Sequence, residues 1–304
     1  MKRRLTANWQ NLLAETIYNG SWMLNPIMAH KVIKQLSGLT EGNFDTLNSE
    51  ASDLLDTSPV CYSNDVEGNF FDLDSAPHGV VAVIPLKGTM LKHGTWLSFG
   101  TLEIAAMIME AAGHEKVIAI VIDAHSGGGS VDAVAPIHHA IVFAKKMKKP
   151  VIASVDMCAS ACIFSLAPSD YIVANNNISA MIGSIGVMWS YVDIIPMYEK
   201  EGVKFHEVYS SLSENKNETF RLALEGKYDL IKSDLLDPLA VKFQNCIKEN
   251  RKGKLVESTP GLLKGKMFFA EEAKAAGLID QVGDQNTAIK IALERAQINN
   301  YLNS

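Results

Sequence analysis

The chain is 304 residues long, 47% hydrophobic and 20% charged, with a formal net charge of −6. That length suits one large domain or two smaller ones with an ample core, and the composition is ordinary for a globular protein. The acidic balance argues against a general nucleic-acid surface, and with no run of 18 apolar residues no membrane-spanning helix is expected.

The N-terminus reads Met-Lys-Arg-Arg, but polar residues interrupt the stretch after it. That stretch offers no apolar core and no small-residue cleavage site of a signal peptide, so a cytoplasmic protein is expected. Apolar residues at helical spacing (Trp9, Leu12, Leu13, Ile17, then Met28, Val32, Ile33, Leu36) predict two short helices within 1–38. Residues 41–86 carry nine acidic side chains and no Lys or Arg, which predicts a mostly irregular acidic connector. The division expected is a helical segment over 1–40, a connector over 41–79 and a main domain over 80–298.

From Val80 the pattern changes. VVAVIPL, VIAIVID (117–123), VIASVD (151–156) and YIVA (171–174) are continuous apolar runs of strand length. Helices are predicted between them over 101–112, 131–147 and 160–167. Such alternation predicts an α/β fold with a mostly parallel sheet covered by helices on both faces. Further strands are predicted near 187–192 and over 203–210, around a helix at 194–201. The tail from about 221 reads as helical and amphipathic, ending in a helix at 285–297. The four cysteines (Cys61, Cys158, Cys162, Cys246) are few and irregularly spaced, so structural thiols are expected rather than disulfides or a metal site.

Three loops follow strand ends, where open α/β sheets hold their sites. The first, AHSGGGSVDA (124–133), places Gly127, Gly128 and Gly129 in a row after Ser126. Backbone amides there could cradle a phosphate, form an oxyanion hole or make a tight turn. The phosphate reading lacks a Gly-Lys-Ser/Thr ending. The second, CASAC (158–162), places Ser160 at the start of a helix. Taken alone it reads as a packed or capping serine, and as a nucleophile it needs a base. The third, MIGSIGVMWS (181–190), brackets Ser184 and Ile185 between Gly183 and Gly186. His125 stands beside the glycines and can serve as base in a Ser-His-Asp arrangement. Lys204 and Lys216, flanking the last predicted strand, are the lysine alternatives.

The ordered series VAVIPLKGTM, IDAHSGGGSVDA, KKPVIASVDMCASACIFSLAPSDYIVA, ISAMIGSIGVMWSYVD, YEKEGVKFHEVYS and GKMFFAEEAKAAGLIDQVG resembles the signal peptide peptidase A (protease IV) family of serine peptidases. That family lies in the crotonase/Clp-protease superfamily, and residues 1–40 give the chain a softer likeness to phage-type capsid-assembly members. The resemblance implies Ser160 as nucleophile and Lys216, 56 residues downstream, as general base. It implies oxyanion donors at Gly128 and Gly129, with Ala161. Ser126, Gly127, Gly183, Ser184, Ile185 and Gly186 would line the substrate groove. Where the family has glycines after the serine, this chain has Ala161 and Cys162; where it has proline before the paired glycines, this chain has Gly127. A polypeptide substrate, a homo-oligomer and no metal or other cofactor are implied. The rivals are a crotonase-like acyl-CoA enzyme and a catalytically inactive assembly scaffold.

Overall fold

The computed structural model describes residues 22–24, 60–62, 67–68, 73–94, 98–191, 193 and 195–303. The two helices expected within 1–38 lie outside these, apart from Trp22–Leu24, which is a strand (β1). The connector supplies two short strands, β2 (Val60–Tyr62) and β3 (Glu67–Gly68). Then come β4 (Val80–Lys87), α1 (Thr101–Gly113), β5 (Val117–Ser126), β6 (Gly128–Ser130), α2 (Val134–Lys146), β7 (Val151–Ala159), α3 (Ala161–Leu166) and β8 (Tyr171–Ala174). The remainder is β9 (Met181–Gly183), α4 (Ile195–Lys200), α5 (Glu218–Leu224), α6 (Asp237–Asn250), β10 (Met267–Phe269), α7 (Ala270–Ala275), β11 (Gln281–Val282) and α8 (Gln285–Asn303).

The four apolar runs form the parallel centre of a nine-stranded sheet: β4 pairs β5, β5 pairs β7, and β7 pairs β8. They read as unbroken hydrophobic stretches because both faces are covered. Ala82, Ile84, Ile120, Ile122, Ala153 and Val155 pack with α1, α2 and α3 in one core. Val81, Val83, Val121, Ile152 and Val173 face Ala288, Ala292 and Ala296 of α8 in the other. β7 forks: its first half pairs β8 and its last three residues pair β9, both parallel. Antiparallel β2 and β10 lie outside this centre, against β4 and β9. Among the described residues no helix is long and apolar enough to cross a membrane.

Two expected strands do not form among the described residues. Residues 187–191 form no named strand; there Trp189 stacks on Tyr191 at 4.5 Å between ring centroids and lies 5.8 Å from Phe220. Residues 203–210 run without helix or strand structure and without a partner strand among the described residues. Phe205, which meets the Tyr198 ring edge-on at 6.2 Å, is still 51% exposed, and Val208 is 95% exposed, so the apolar positions that suggested a strand are not buried against the sheet.

One buried ion pair ties the C-terminal part to the sheet. Arg251, just past α6, donates to Asp280 Oδ2 at 2.8 Å and Oδ1 at 3.1 Å, and its Nε donates to the Gly277 carbonyl at 2.9 Å. Asp280 also accepts from Lys254 Nζ at 2.5 Å and from the Ile172 amide of β8 at 2.8 Å.

Candidate active site

The three loops singled out in the sequence meet at the C-terminal ends of β5, β7 and β9. Ser126 pairs with Cys158 across β5 and β7, and Ala159 pairs with Gly183 across β7 and β9. The residue after Ala159 is therefore flanked by the glycine loop on one side and Gly183 on the other.

Ser160 has φ 57° and ψ −119°, a combination that L side chains avoid and that costs on the order of 1–3 kcal/mol. The strand stops and the helix begins within this one residue. Its amide donates to the Gly183 carbonyl at 2.9 Å, and its own carbonyl accepts from the Phe164 amide at 3.0 Å. The hydroxyl makes no capping hydrogen bond to α3, although serine at that position ordinarily caps. This removes the capping reading. The residue is 1% exposed. Behind it, Phe164 of α3 stacks on Phe243 of α6 at 4.4 Å, nearly parallel, which fixes the short helix.

The glycine loop is buried from Ser126 to Ser130. Ser126 Oγ accepts from the Gly128 amide at 3.1 Å. Met90 holds one edge of β6: its amide donates to the Gly128 carbonyl at 3.0 Å, and its carbonyl accepts from the Ser130 amide at 2.9 Å. At Gly129 the approach is so close that a Cβ would lie 1.9 Å from the Met90 oxygen, so only glycine fits. This approach accounts for Gly129, and the positive φ of 102° accounts for Gly128.

On the other flank, Gly183 has φ 137°, and a Cβ there would lie 2.5 Å from the Lys266 carbonyl. Ser184, at φ 54°, donates its amide to that same carbonyl at 2.9 Å. Ile185 is fully buried, and Gly186 passes Gly265. Ala161 is buried in the first turn of α3, its carbonyl accepting from Ser165 Oγ at 2.8 Å. Cys158 and Cys162 lie with their sulfurs 3.5 Å apart. Burial, with the neighbouring thiol, pushes Cys158 well above its ordinary pKa, so it stays a protonated packing residue.

The candidate bases are placed differently. Lys216 is exposed in the turn before α5, its amide bonded to the Ser213 carbonyl at 3.1 Å, and Lys204 is exposed as well. No hydrogen bond joins either lysine to Ser160. His125 stands at the end of β5 with Nδ1 3.1 Å from Asp156 Oδ2, and Asp156 also accepts from Asn176 at 2.8 Å. Sequence reasoning missed Asp156 and Asn176. Their only signal was position: Asp156 ends the predicted run VIASVD, and Asn176 lies two residues past β8. Among the described residues no group of His, Cys, Asp and Glu could hold a metal ion.

The sequence profile of peptidase family S49 matches residues 143–299, a span containing Ser160, Gly183 to Gly186 and Lys216. Protease 4 of Salmonella typhi is 28% identical over 235 residues, 73% of this chain and 36% of that protein. Capsid assembly protease C of Escherichia phage lambda is 24% identical over 311 residues, 94% of this chain and 66% of that protein. A solved structure of a membrane-bound stomatin-specific protease superposes with a TM-score of 0.39 at 19% identity, covering 72% of this chain and 85% of that one. The chain therefore spans about a third of the length of the Salmonella protein and about two thirds of the phage protein.

Proposed function

Because the chain belongs to peptidase family S49, we propose that it is a serine endopeptidase in which Ser160 attacks the carbonyl carbon of a peptide bond. The observation that carries this reading is the Ser160 backbone. A buried serine held at φ 57° and ψ −119° between strand and helix, with no capping bond, is the arrangement of a nucleophile on a strained strand-to-helix turn.

In the mechanism, Lys216 takes the Ser160 hydroxyl proton as Oγ bonds to the carbonyl carbon. The carbonyl oxygen becomes the oxyanion. Of the two candidate glycine amides, that of Gly128 is bonded to Ser126 within its own loop, whereas that of Gly129 lies on the edge of β6 away from Met90, so the Gly129 amide is the main donor, with Ala161 beside it. The C–N bond then breaks as the leaving amine takes the proton from the lysine. Water then adds to the acyl carbon as the same lysine takes its proton; the C–Oγ bond breaks, and the lysine returns the proton to Ser160 Oγ, releasing the acid. The chemistry requires no metal or organic cofactor.

Lys216 reaches Ser160 in this reading from a neighbouring copy of the chain. Support comes from its exposed position beside Leu212, 94% exposed, and the exposed Phe205 and Val208, apolar positions that a homo-oligomer would cover. The likeness to the phage protein, which extends over nearly the whole chain, supports a capsid or scaffold protein as substrate; signal-peptide-like fragments are the alternative. A second reading makes His125 the base, favoured by the Asp156 carboxylate on its Nδ1.

The test is hydrolysis of an unfolded protein by wild type and by Ser160→Ala. The variant should lose activity by about 10⁶-fold in kcat. Equal activity in both would remove Ser160 from the chemistry and with it this proposal.

A further inference from the structure

The glycine strand has two edges, and they differ. Met90 occupies one through the Gly128 carbonyl and the Ser130 amide. In an extended strand successive residues turn their N–H and C=O to opposite edges, so those of Gly129 face the other edge. That edge is filled by the chain itself. β1 runs antiparallel to β6 with Trp22 opposite Ser130, Met23 opposite Gly129 and Leu24 opposite Gly128.

β1 and β6 form a two-stranded sheet of their own, apart from the nine-stranded one. Among the described residues β1 pairs with nothing else. Two-stranded pairings of this length are marginal in water, so the strand can be exchanged for another extended segment. Strand addition of this kind reads backbone rather than side chains, which suits an endopeptidase acting on extended polypeptide.

We propose that the Gly129 edge of β6 is the groove in which an extended substrate backbone pairs, and that Trp22–Leu24 fills it as an internal pseudosubstrate that holds the site latent. The proposal rests on the peptidase reading, because the amide facing β1 is the one assigned to the oxyanion. Displacing β1 would open the groove and release the Gly129 amide together.

The experiment uses the full chain carrying Met23→Pro, which removes the amide opposite Gly129 and disfavours strand pairing. Met23→Ala, which keeps the backbone, is the control. Hydrolysis of fluorescein-labelled casein is measured at low substrate concentration. In a Ser160→Ala background, binding of a fluorescein-labelled unstructured decapeptide is measured by anisotropy. Met23→Pro should raise kcat/KM at least about tenfold and tighten peptide binding by a similar factor, with Met23→Ala within twofold of wild type. Casein hydrolysis that depends on Ser160 but is unchanged in a folded Met23→Pro protein would overturn the pseudosubstrate while leaving the peptidase standing. Tighter peptide binding with no hydrolysis in any variant would do the reverse. Should Met23→Pro fail to fold, a synthetic peptide of residues 18–28 decides. It displaces the labelled decapeptide from the Ser160→Ala protein if the inference holds, and failure to displace overturns it.

Discussion

Replacing Asp280 by Asn isolates the charge of the one carboxylate that ties α6, Lys254 and β8 together. The side chain of Asp280 is 5% exposed and that of Arg251 3%, so the substitution leaves a guanidinium buried without its counter-charge while preserving shape. Breaking a buried pair from one side costs about 3–5 kcal/mol. The Lys254 contact adds little, since that side chain is half exposed and such pairs are worth roughly 0–1 kcal/mol. At roughly 2–4 °C per kcal/mol for a domain of this size, Asp280→Asn should melt about 6–20 °C below wild type at pH 7. Burial alone would raise the Asp280 pKa, but hydrogen bonds from Arg251 and Lys254 and the Arg251 charge overcome it and hold the carboxyl below its ordinary value. A carboxylate depressed in the folded state stabilises above the unfolded pKa near 4 and ceases to do so as pH falls through the folded value. The gap between wild type and variant should therefore be full at pH 7 and shrink at pH 3. Thermal melts followed by circular dichroism at both pH values check this. A gap under about 2 °C at pH 7, or one as large at pH 3, would refute the reasoning.

Gly129→Ala must push β6 from Met90, because its Cβ would meet the Met90 oxygen at 1.9 Å. With one oxyanion donor lost, kcat should fall about 10²–10³-fold; steady-state kinetics giving a value within threefold of wild type would contradict the assignment. Lys216→Ala and His125→Ala separate the two bases, the first abolishing casein hydrolysis and the second leaving most of it, with the reverse order moving the base to His125. Phe243→Ala empties a fully buried position beneath α3; urea denaturation should show a loss of about 3–5 kcal/mol.

The parallel centre of the fold was legible because β4, β5, β7 and β8 are buried on both faces and so write themselves as unbroken apolar runs. The glycine loop and the residues around Ser160 were legible for a different reason: close backbone approach admits only small side chains. Residues 203–210 misled, since apolar Val203, Phe205 and Val208 satisfy a strand's composition while the described structure supplies no partner strand. β9 and β10, three residues each, were invisible because MIG and MFF carry no period, and their pairing joins positions about 85 residues apart. The contact of His125 with Asp156 escaped for the same reason, being a juxtaposition through space. The strain at Ser160 is likewise a property of φ and ψ, which no residue type announces.

The antiparallel contact of β10 with β9 has a consequence in time. A ribosome delivers Ser160 and both its flanking loops long before it delivers Lys266, whose carbonyl holds the Ser184 amide, and Met267, which lies opposite Gly183. A nascent chain therefore carries Ser160 with the Gly183–Ser184 flank still unfastened. Geometry that depends on residue 267 cannot be complete around Ser160 until nearly the whole sheet has been synthesised.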